Sequence, residues 1–581
     1  MATCTQCGAE LKPGAKFCEN CGAKVSVPQP AAQPAAVPQP PVQPTQAAPQ
    51  PPQPAQTPPQ PQAGGAPAAP QPQTNAANPY AGNAPGTPPQ TGAGAVVDDW
   101  GRKTSFAELL AHVDNLAGLL VSEAKVAPGS RVGLLMHADL EFVVALFAIS
   151  KAGATCVPVP TKYREPEVVS LMQAADLTAL VAGEEFERWV PSLPLRPSEI
   201  VFARGVEDGY GFAEAEGFSS LCEPTGGLDD AAIMMFTSGT TSRAKGVVLT
   251  NGNVIHAAMV YQRLMGTTPA DSCLIPIPIY HVTGLIALLI QFVYVGATTY
   301  LHRLFDARRV LACVRDRKIT YLHGSPTSFA ELLPLRGEFP ELPSVRCMLS
   351  GSSYEPVGTM RQFHQWMPTA TFQVVYGMTE TASPALLFPL DSPTSVFAGA
   401  TGKPVPGVDA KIVDERGHEV PWGETGELLL RGACVTAGYF RHDNGEIEPD
   451  GWLHTGDVAY ANEEGMVWVV DRLKDMINRG GEKVWCSALE EVLCEVSGIS
   501  ESCVAGIPDE LYGEVPVAAI VRDPGSDITG PQISEALAGR IAHFKIPVHY
   551  VFVDKIPQTR GDKPNRAAVR DAVLATLDHE S

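Results

Sequence analysis

The chain has 581 residues, 45% of them hydrophobic and 18% charged, with a formal net charge of −21. That length buries a sizeable core and predicts two or three globular units. The acidity excludes a sequence-independent nucleic-acid binder, which needs a basic face, so any anionic substrate must be met by local positive charge.

Met1–Cys7 runs straight into a polar, cysteine-bearing stretch, so no signal peptide is expected. Val282–Ala297 is the longest apolar run, but it carries Thr, Gly and Gln and is short for a membrane span. It reads as a core helix, and no transmembrane segment is expected. Thirteen cysteines, four clustered at the N-terminus and the rest single, do not make a disulfide framework. A cytoplasmic protein is expected.

Residues 1–25 hold two C-x-x-C pairs, Cys4/Cys7 and Cys18/Cys21, each followed by Gly. Four thiolates at that spacing suit one tetrahedral structural Zn²⁺, whose binding would supply the folding energy of so short a piece. A redox pair or a disulfide staple is the other reading. The segment resembles small bacterial zinc ribbons and is expected to dock a protein partner. Residues 26–97 are Pro, Gln and Ala with some Gly, without a charge between Lys24 and Asp98. Such a segment cannot bury enough apolar surface to fold and reads as a disordered, polyproline-rich spacer.

The globular part then begins, expected as one lobe over 98–472 and a smaller one over 473–581. Thr104–Leu120 has helical periodicity, Arg131–Met136 reads as a strand, Leu140–Lys151 as a helix and Thr155–Pro160 as a strand. Strand-like runs recur at Cys273–Ile279, Thr298–Leu301, Ile319–Leu322, Val345–Leu349 and Phe372–Val375, so a parallel sheet flanked by helices is expected. After about Gly407 short hairpin-like strands follow (Ala410–Val413, Glu427–Arg431, Met466–Val470), predicting a β-rich subdomain. Ser487-Ala-Leu-Glu490 reads as a capping box opening a helix through Val496. The remainder predicts a compact α+β unit. The fold class is thus α/β multidomain.

The chemistry centres on Thr237-Ser-Gly-Thr-Thr-Ser-Arg-Ala-Lys-Gly246, which follows the apolar run Ala231–Phe236. Glycines let backbone N–H groups approach an anion, and the hydroxyls add donors, which suits a nucleoside triphosphate. A P-loop needs Gly before its Lys and Ser or Thr after it; here those places hold Ala244 and Gly246. A solvated Ser/Thr turn is the plainer alternative.

Further motifs follow in order: Pro278-Ile-Tyr-His-Val-Thr-Gly284, Tyr376-Gly-Met-Thr-Glu380, Gly451-Trp-Leu-His-Thr-Gly-Asp457, Asp471-Arg-Leu-Lys-Asp-Met-Ile477, Gly480-Gly-Glu482, Phe544-Lys-Ile-Pro547 and Pro557-Gln-Thr-Arg-Gly-Asp-Lys563. This ordered set resembles the adenylate-forming superfamily of acyl-CoA synthetases, luciferases and peptide-synthetase adenylation domains, over roughly residues 95–575. The family usually carries another helix and strand ahead of this point; here the linker stands in for some of it, which is expected to loosen one edge of the first lobe.

The resemblance implies roles for individual residues. Thr237, Ser238, Gly239, Thr240, Thr241 and Lys245 would hold the β- and γ-phosphates of ATP. Tyr376 and Gly377 would lie at the adenine, Thr379 at the α-phosphate, and Glu380 would carry Mg²⁺. Asp457 would accept both ribose hydroxyls, joined by Arg472. His281 would line the acyl pocket. Lys563 would bridge the attacking carboxylate and the α-phosphate. Lys474 matches the hinge about which the small lobe turns between half-reactions, and Gly480 and Gly481 the loop along the pantetheine of coenzyme A. The implied reaction joins a carboxylic acid to CoA at the expense of ATP, through an acyl-adenylate. Loading a separate carrier protein, or a non-catalytic nucleotide-binding scaffold displaying the ribbon, are the rivals. Residues near Tyr280–Gly284, His323–Phe329 and Gly351–Tyr354, mostly small and apolar, favour a medium- or long-chain fatty acid, with aromatic or steroid-like acids next.

Overall fold

A computed structural model of the chain describes residues 94–203, 212, 215, 217–218, 222–237, 245–442, 445–559 and 564–580. The chain divides into two units, Met1–Ala76 and Ala77–Ser581, and the first lies outside the described residues. So do Cys4, Cys7, Cys18 and Cys21.

Among the described residues the strands form four sheets. The short apolar runs of the first half pair into a seven-stranded sheet in the order Gly438–Tyr439, Lys245–Thr250, Ala231–Thr237, Thr155–Pro158, Arg131–Leu135, Ala179–Gly183, Ile200–Ala203. A nine-stranded sheet follows the order Lys403–Pro404, Leu386–Leu387, Thr371–Tyr376, Cys347–Ser350, Tyr321–Gly324, Ser272–Ile275, Thr298–Leu301, Gly94–Val97, Lys103–Ser105. Both are largely parallel, as the alternation of apolar runs with helical periods implies. One hydrophobic cluster draws on both sheets and on helices Phe106–Ser122, Leu140–Lys151 and Asn251–Met265, so those helices fill the space between them. Separate clusters cover the outer faces. Within Leu140–Lys151 the run Phe142–Ile149 is wholly apolar, and all of it but Phe147 is buried.

The run 282–297 is a core helix, but its first part, Thr283–Ile290, is π-helical and only Gln291–Val295 is α-helical. Gly284 is required there, because a Cβ would stand 2.7 Å from the Pro278 carbonyl oxygen.

The strand Gly94–Val97 falls within the stretch read as linker, and it closes the edge that was expected to be loose. Val96 and Val97 pair with Thr299 and Tyr300, and both are buried. The turn that follows is clamped to the first turn of helix Leu140–Lys151. Arg102 donates to Glu141 through both terminal nitrogens (2.6 and 2.8 Å) and to Asp98 through Nε (2.7 Å), while Arg303 Nε donates to Asp139 (2.8 Å). Glu141 is 6% exposed, so removing its charge leaves the half-buried Arg102 with Asp98 as its one remaining charged partner in this cluster. Because the Arg102 side chain is 34% exposed, the cost is discounted from that of a fully buried pair. Glu141→Gln is expected to destabilise by about 1–3 kcal/mol, read from the urea midpoint. An unchanged midpoint would show that the edge is held by the ladder alone.

An antiparallel four-stranded sheet (Val408–Val413, Gly426–Gly432, Leu453–Ala461, Val467–Arg472) is the expected β-rich subdomain. The chain leaves it through a single 3-10 turn, Leu473–Asp475. It then enters a five-stranded sheet built on the hairpin Ile499–Asp509 and Gly513–Arg522 and packed by helices Cys486–Cys494, Gly530–Ala538 and Arg566–Glu580. The capping box at Ser487 does not form. The helix starts one residue earlier, at Cys486, with Trp485 before it and without a side-chain cap. Ser487 N instead donates to Asp471 (3.1 Å), and Glu490 accepts from Val504 N (2.7 Å) and pairs with Arg566. Tertiary partners outbid the local motif. Among the described residues no helix is long and apolar enough to cross a membrane.

Candidate active site

The hydroxyl-rich loop connects two antiparallel strands, with Thr237 and Lys245 directly opposite each other at its feet. Ser238, Gly239, Thr240 and Thr241 lie outside the described residues. Lys245 pairs with Glu446 and sits 5.1 Å from the ring of Tyr439. Tyr439 belongs to the edge strand Gly438–Tyr439, paired with Val247, and its hydroxyl donates to Glu380 Oε1 (3.3 Å). The Glu380 carbonyl accepts from Thr436 N (2.7 Å), which fixes the segment on the same edge. The structure thus brings Lys245 and Glu380 to one place through two residues that sequence reasoning missed, Tyr439 and Glu446.

Glu380 sits in a 3-10 turn, Thr379–Thr381, just past the C-terminal end of strand Thr371–Tyr376, where open α/β sheets place their ligands. Burial pushes its carboxyl above the usual range, opposed by the Tyr439 hydroxyl and the charges of Arg472 and Lys245. After the turn, Ala382 and Ser383 both hold left-handed backbone (φ 52° and 62°) while buried. That conformation costs non-glycine residues of order 1–2 kcal/mol each and is typical of functional loops.

Asp457 is the second centre. It lies opposite Arg472 in the antiparallel pair of Leu453–Ala461 with Val467–Arg472. Arg472 Nε is 3.1 Å from Asp457 Oδ1, and the Tyr376 hydroxyl donates to Oδ2 (2.6 Å). Tyr376 and Arg472, from two different sheets, therefore converge on one buried carboxylate. Burial, then the Asp457 charge, drives the Tyr376 phenol well up, so it stays a donor.

The turn that presents Asp457 is itself held. Thr455 Oγ1 bonds the Leu428 carbonyl (2.7 Å) and Asp457 N (3.1 Å), and Gly456 N donates to Glu427 Oε1 (3.1 Å). His454 lies between Glu427 (2.9 Å) and Glu448 (3.1 Å). Burial alone would lower its pKa, but the two carboxylates outweigh it and raise it. A raised histidine adds stability in full below its unfolded value of about 6.5 and loses it as pH rises through the folded value. His454→Gln should therefore be less stable than wild type at pH 6, with the gap closing by pH 8.5 in urea titrations. A pH-independent gap would mean that His454 acts by packing alone.

His281 is exposed, its ring 4.9 Å from that of Tyr280. Lys474 lies in the 3-10 turn between the lobes, where burial lowers its pKa. Gly480 and Gly481 (φ 62° and 96°) form the two-residue turn of the hairpin Ile477–Arg479 and Glu482–Val484, a turn whose twist demands left-handed residues. Lys563 lies outside the described residues. The loop that carries it is pinched by a bridge between Gln558 and Pro564. Just beyond, Arg566 is anchored to Glu490, to the Val504 carbonyl (2.7 Å) and to Asp475 (3.7 Å).

The described residues thus offer a lysine at the foot of a hydroxyl-rich connection, a buried carboxylate near that lysine, and a second buried carboxylate bonded by Tyr and Arg, a set suited to a phosphorylated ligand and a cation. The chain belongs to the AMP-binding enzyme family, whose pattern matches residues 87–440, with the AMP-binding enzyme C-terminal domain at 488–563 and a zinc-ribbon domain at 3–25. It is 31% identical over 510 residues to the 3-((3aS,4S,7aS)-7a-methyl-1,5-dioxo-octahydro-1H-inden-4-yl)propanoyl:CoA ligase of Rhodococcus jostii, covering 83% of this chain and 96% of that one. It is 31% identical over 473 residues to feruloyl-CoA synthase of an Amycolatopsis species, covering 81% and 94%. The structure of o-succinylbenzoate coenzyme A synthetase from Bacillus subtilis with ATP and magnesium matches with a TM-score of 0.72 at 27% identity, covering 83% and 96%. The chain is an AMP-forming acid–CoA ligase.

Proposed function

We propose that this ligase activates a monocarboxylic acid and that the residues named above divide the work as follows. The carboxylate oxygen bonds to the α-phosphorus of ATP and pyrophosphate leaves; the CoA sulfur then bonds to the acyl carbon, its proton is lost and AMP leaves. Thr237, Ser238, Gly239, Thr240, Thr241 and Lys245 hold the β- and γ-phosphates. Thr379 meets the α-phosphate, Tyr376 and Gly377 the adenine, and Asp457 with Arg472 the ribose. Glu380 is the carboxylate suited to Mg²⁺, a hard cation that neutralises phosphate charge when bound. Its burial fits this role, because a divalent cation offsets the desolvated charge.

His281 faces the acid, and Lys563 brings the positive charge between carboxylate and α-phosphate. Lys474 is the pivot that withdraws Lys563, and Gly480 with Gly481 then flank the thiol's path. Cys4, Cys7, Cys18 and Cys21 hold one structural Zn²⁺, and the ribbon docks a protein partner. Free, mostly buried cysteines among the described residues suit a reducing cytoplasm. The segments Tyr280–Gly284, His323–Phe329 and Gly351–Tyr354 contain no Arg or Lys to pair a second carboxylate. A medium- or long-chain aliphatic acid or a ring-bearing acid fits that lining.

The observation that carries this reading is the convergence of Tyr376 and Arg472 on Asp457. The experiment is pyrophosphate release across a panel of carboxylic acids, with and without CoA. Release that needs one acid class and turns over only with CoA supports the reading. A burst indifferent to CoA points to a carrier protein as acceptor, and no release with any acid points to a scaffold. Lys563→Ala should lose acid adenylation by about 100-fold or more while still converting supplied acyl-adenylate to thioester.

A further inference from the structure

The nine-stranded sheet turns Tyr321 and His323 toward helix Asn251–Met265, since alternate residues of a strand share a face and Tyr321 shares a core cluster with Tyr261. Tyr261 is fully buried and its hydroxyl lies 2.8 Å from Ser383 Oγ. Its ring meets that of His323 edge-on, centroids 6.0 Å apart. Ser383 is the second of the two left-handed residues after Glu380, and its backbone stands so close to Gly377 that a Cβ there would be 3.2 Å away. The cluster is thus joined by one short turn to the carboxylate and to the adenine strand.

His323 is 4% exposed, and its Nδ1 is buried without a hydrogen-bond partner. Burial pushes its pKa down to about 3, so the ring is neutral at physiological pH. Tyr261 and Ser383 carry two hydroxyl hydrogens between them, and their mutual bond uses one. One donor and one ring nitrogen remain to be matched. A buried polar atom left unmatched is costly, which argues that something other than protein fills the demand. An alkyl chain could match neither group.

We propose that Tyr261, Ser383 and His323 form a polar wall of the acyl pocket that reads an oxygen substituent, hydroxyl or oxo, on the acid. The inference rests on the ligase reading and narrows its substrate to oxygen-bearing acids, against plain fatty acids. A hydroxyl satisfies both groups by donating to His323 and accepting from the hydroxyl pair; an oxo group accepts from whichever donor is free.

The test compares kcat/KM within matched pairs: p-hydroxyphenylpropanoate against phenylpropanoate, and ω-hydroxydodecanoate against dodecanoate. Wild type should favour the oxygenated member of at least one pair by about tenfold or more. His323→Leu and, independently, Ser383→Ala should shrink that ratio toward one, with the KM for ATP little changed. Should His323→Leu not fold, Ser383→Ala carries the test. Equal kcat/KM within both pairs, or variants that slow both members of a pair alike, overturns the polar wall and leaves the ligase standing. No pyrophosphate release with any of the four acids overturns the polar wall for these acids, and silence across the whole panel removes the ligase reading with it.

Discussion

Asp457→Asn is expected to lower kcat/KM for ATP by about 100-fold while the fold persists. The substitution keeps the shape of the side chain and removes the charge that Tyr376 and Arg472 converge upon. Hydrogen bonds to a charged group contribute roughly 1.5–3 kcal/mol each, and two ribose hydroxyls would be bound to this carboxylate. Losing part of both gives about 3 kcal/mol, or two powers of ten. The change should appear mainly in the KM for ATP, because the ribose is held alike before and during reaction. Tyr376→Phe removes one donor and should cost less. An Asp457→Asn enzyme with wild-type KM for ATP would displace the ribose from this carboxylate.

Glu380→Gln is expected to lower kcat by about 10²–10³, because it removes the ionised ligand that places a cation on the phosphates. The same variant should be at least as stable as wild type, since an amide is cheaper to bury than a carboxylate whose pKa burial has already raised. Loss of activity with a kept or higher melting temperature is the signature. If Glu380 carries the cation as proposed, Mg²⁺ and the proton would compete for this group in wild type. The Mg²⁺ concentration for half-maximal rate should rise as pH falls through the raised carboxyl value. A Mg²⁺ requirement that is flat with pH, or a Glu380→Gln enzyme of normal rate, would remove Glu380 from the metal.

The sheets were legible because parallel strands buried on both faces leave apolar runs such as Val132–Leu135 and Ala179–Gly183. Their ends were less so. The run Cys273–Ile279 continues past the strand Ser272–Ile275 because Pro276 and Pro278 cannot donate to a ladder, yet Ile279 is still buried. Ile319 is likewise buried ahead of the strand Tyr321–Gly324. The candidates Glu380, Asp457 and Arg472 came from motifs. Tyr439 and Glu446 did not, because what marks them is a spatial neighbour some two hundred residues away. His454 was in view inside the Trp-Leu-His-Thr-Gly-Asp motif, but its role depends on Glu427 and Glu448 across a hairpin. Tyr261, His323 and Ser383 come from a helix, a strand and a turn; only the His323 segment was expected at the acyl pocket, and nothing local in the sequence links it to the other two. Ser487 shows the reverse error, a local pattern overruled by partners in another element.

The pairing of Lys245 with Glu446 gives the phosphate loop a built-in competitor. A tethered carboxylate presents itself to the ammonium at an effective concentration of millimolar or more, whatever the solution contains. Loose monoanions and inorganic phosphate at ordinary cellular levels must displace that resident partner with little else to hold them. A nucleoside triphosphate that also met Tyr376, Asp457 and Arg472, as proposed, would compensate for the exchange. On the proposed reading, Lys245 would thereby discriminate by how much of the visitor is recognised elsewhere, so that in a chain of net charge −21 this cation would not answer to any passing anion.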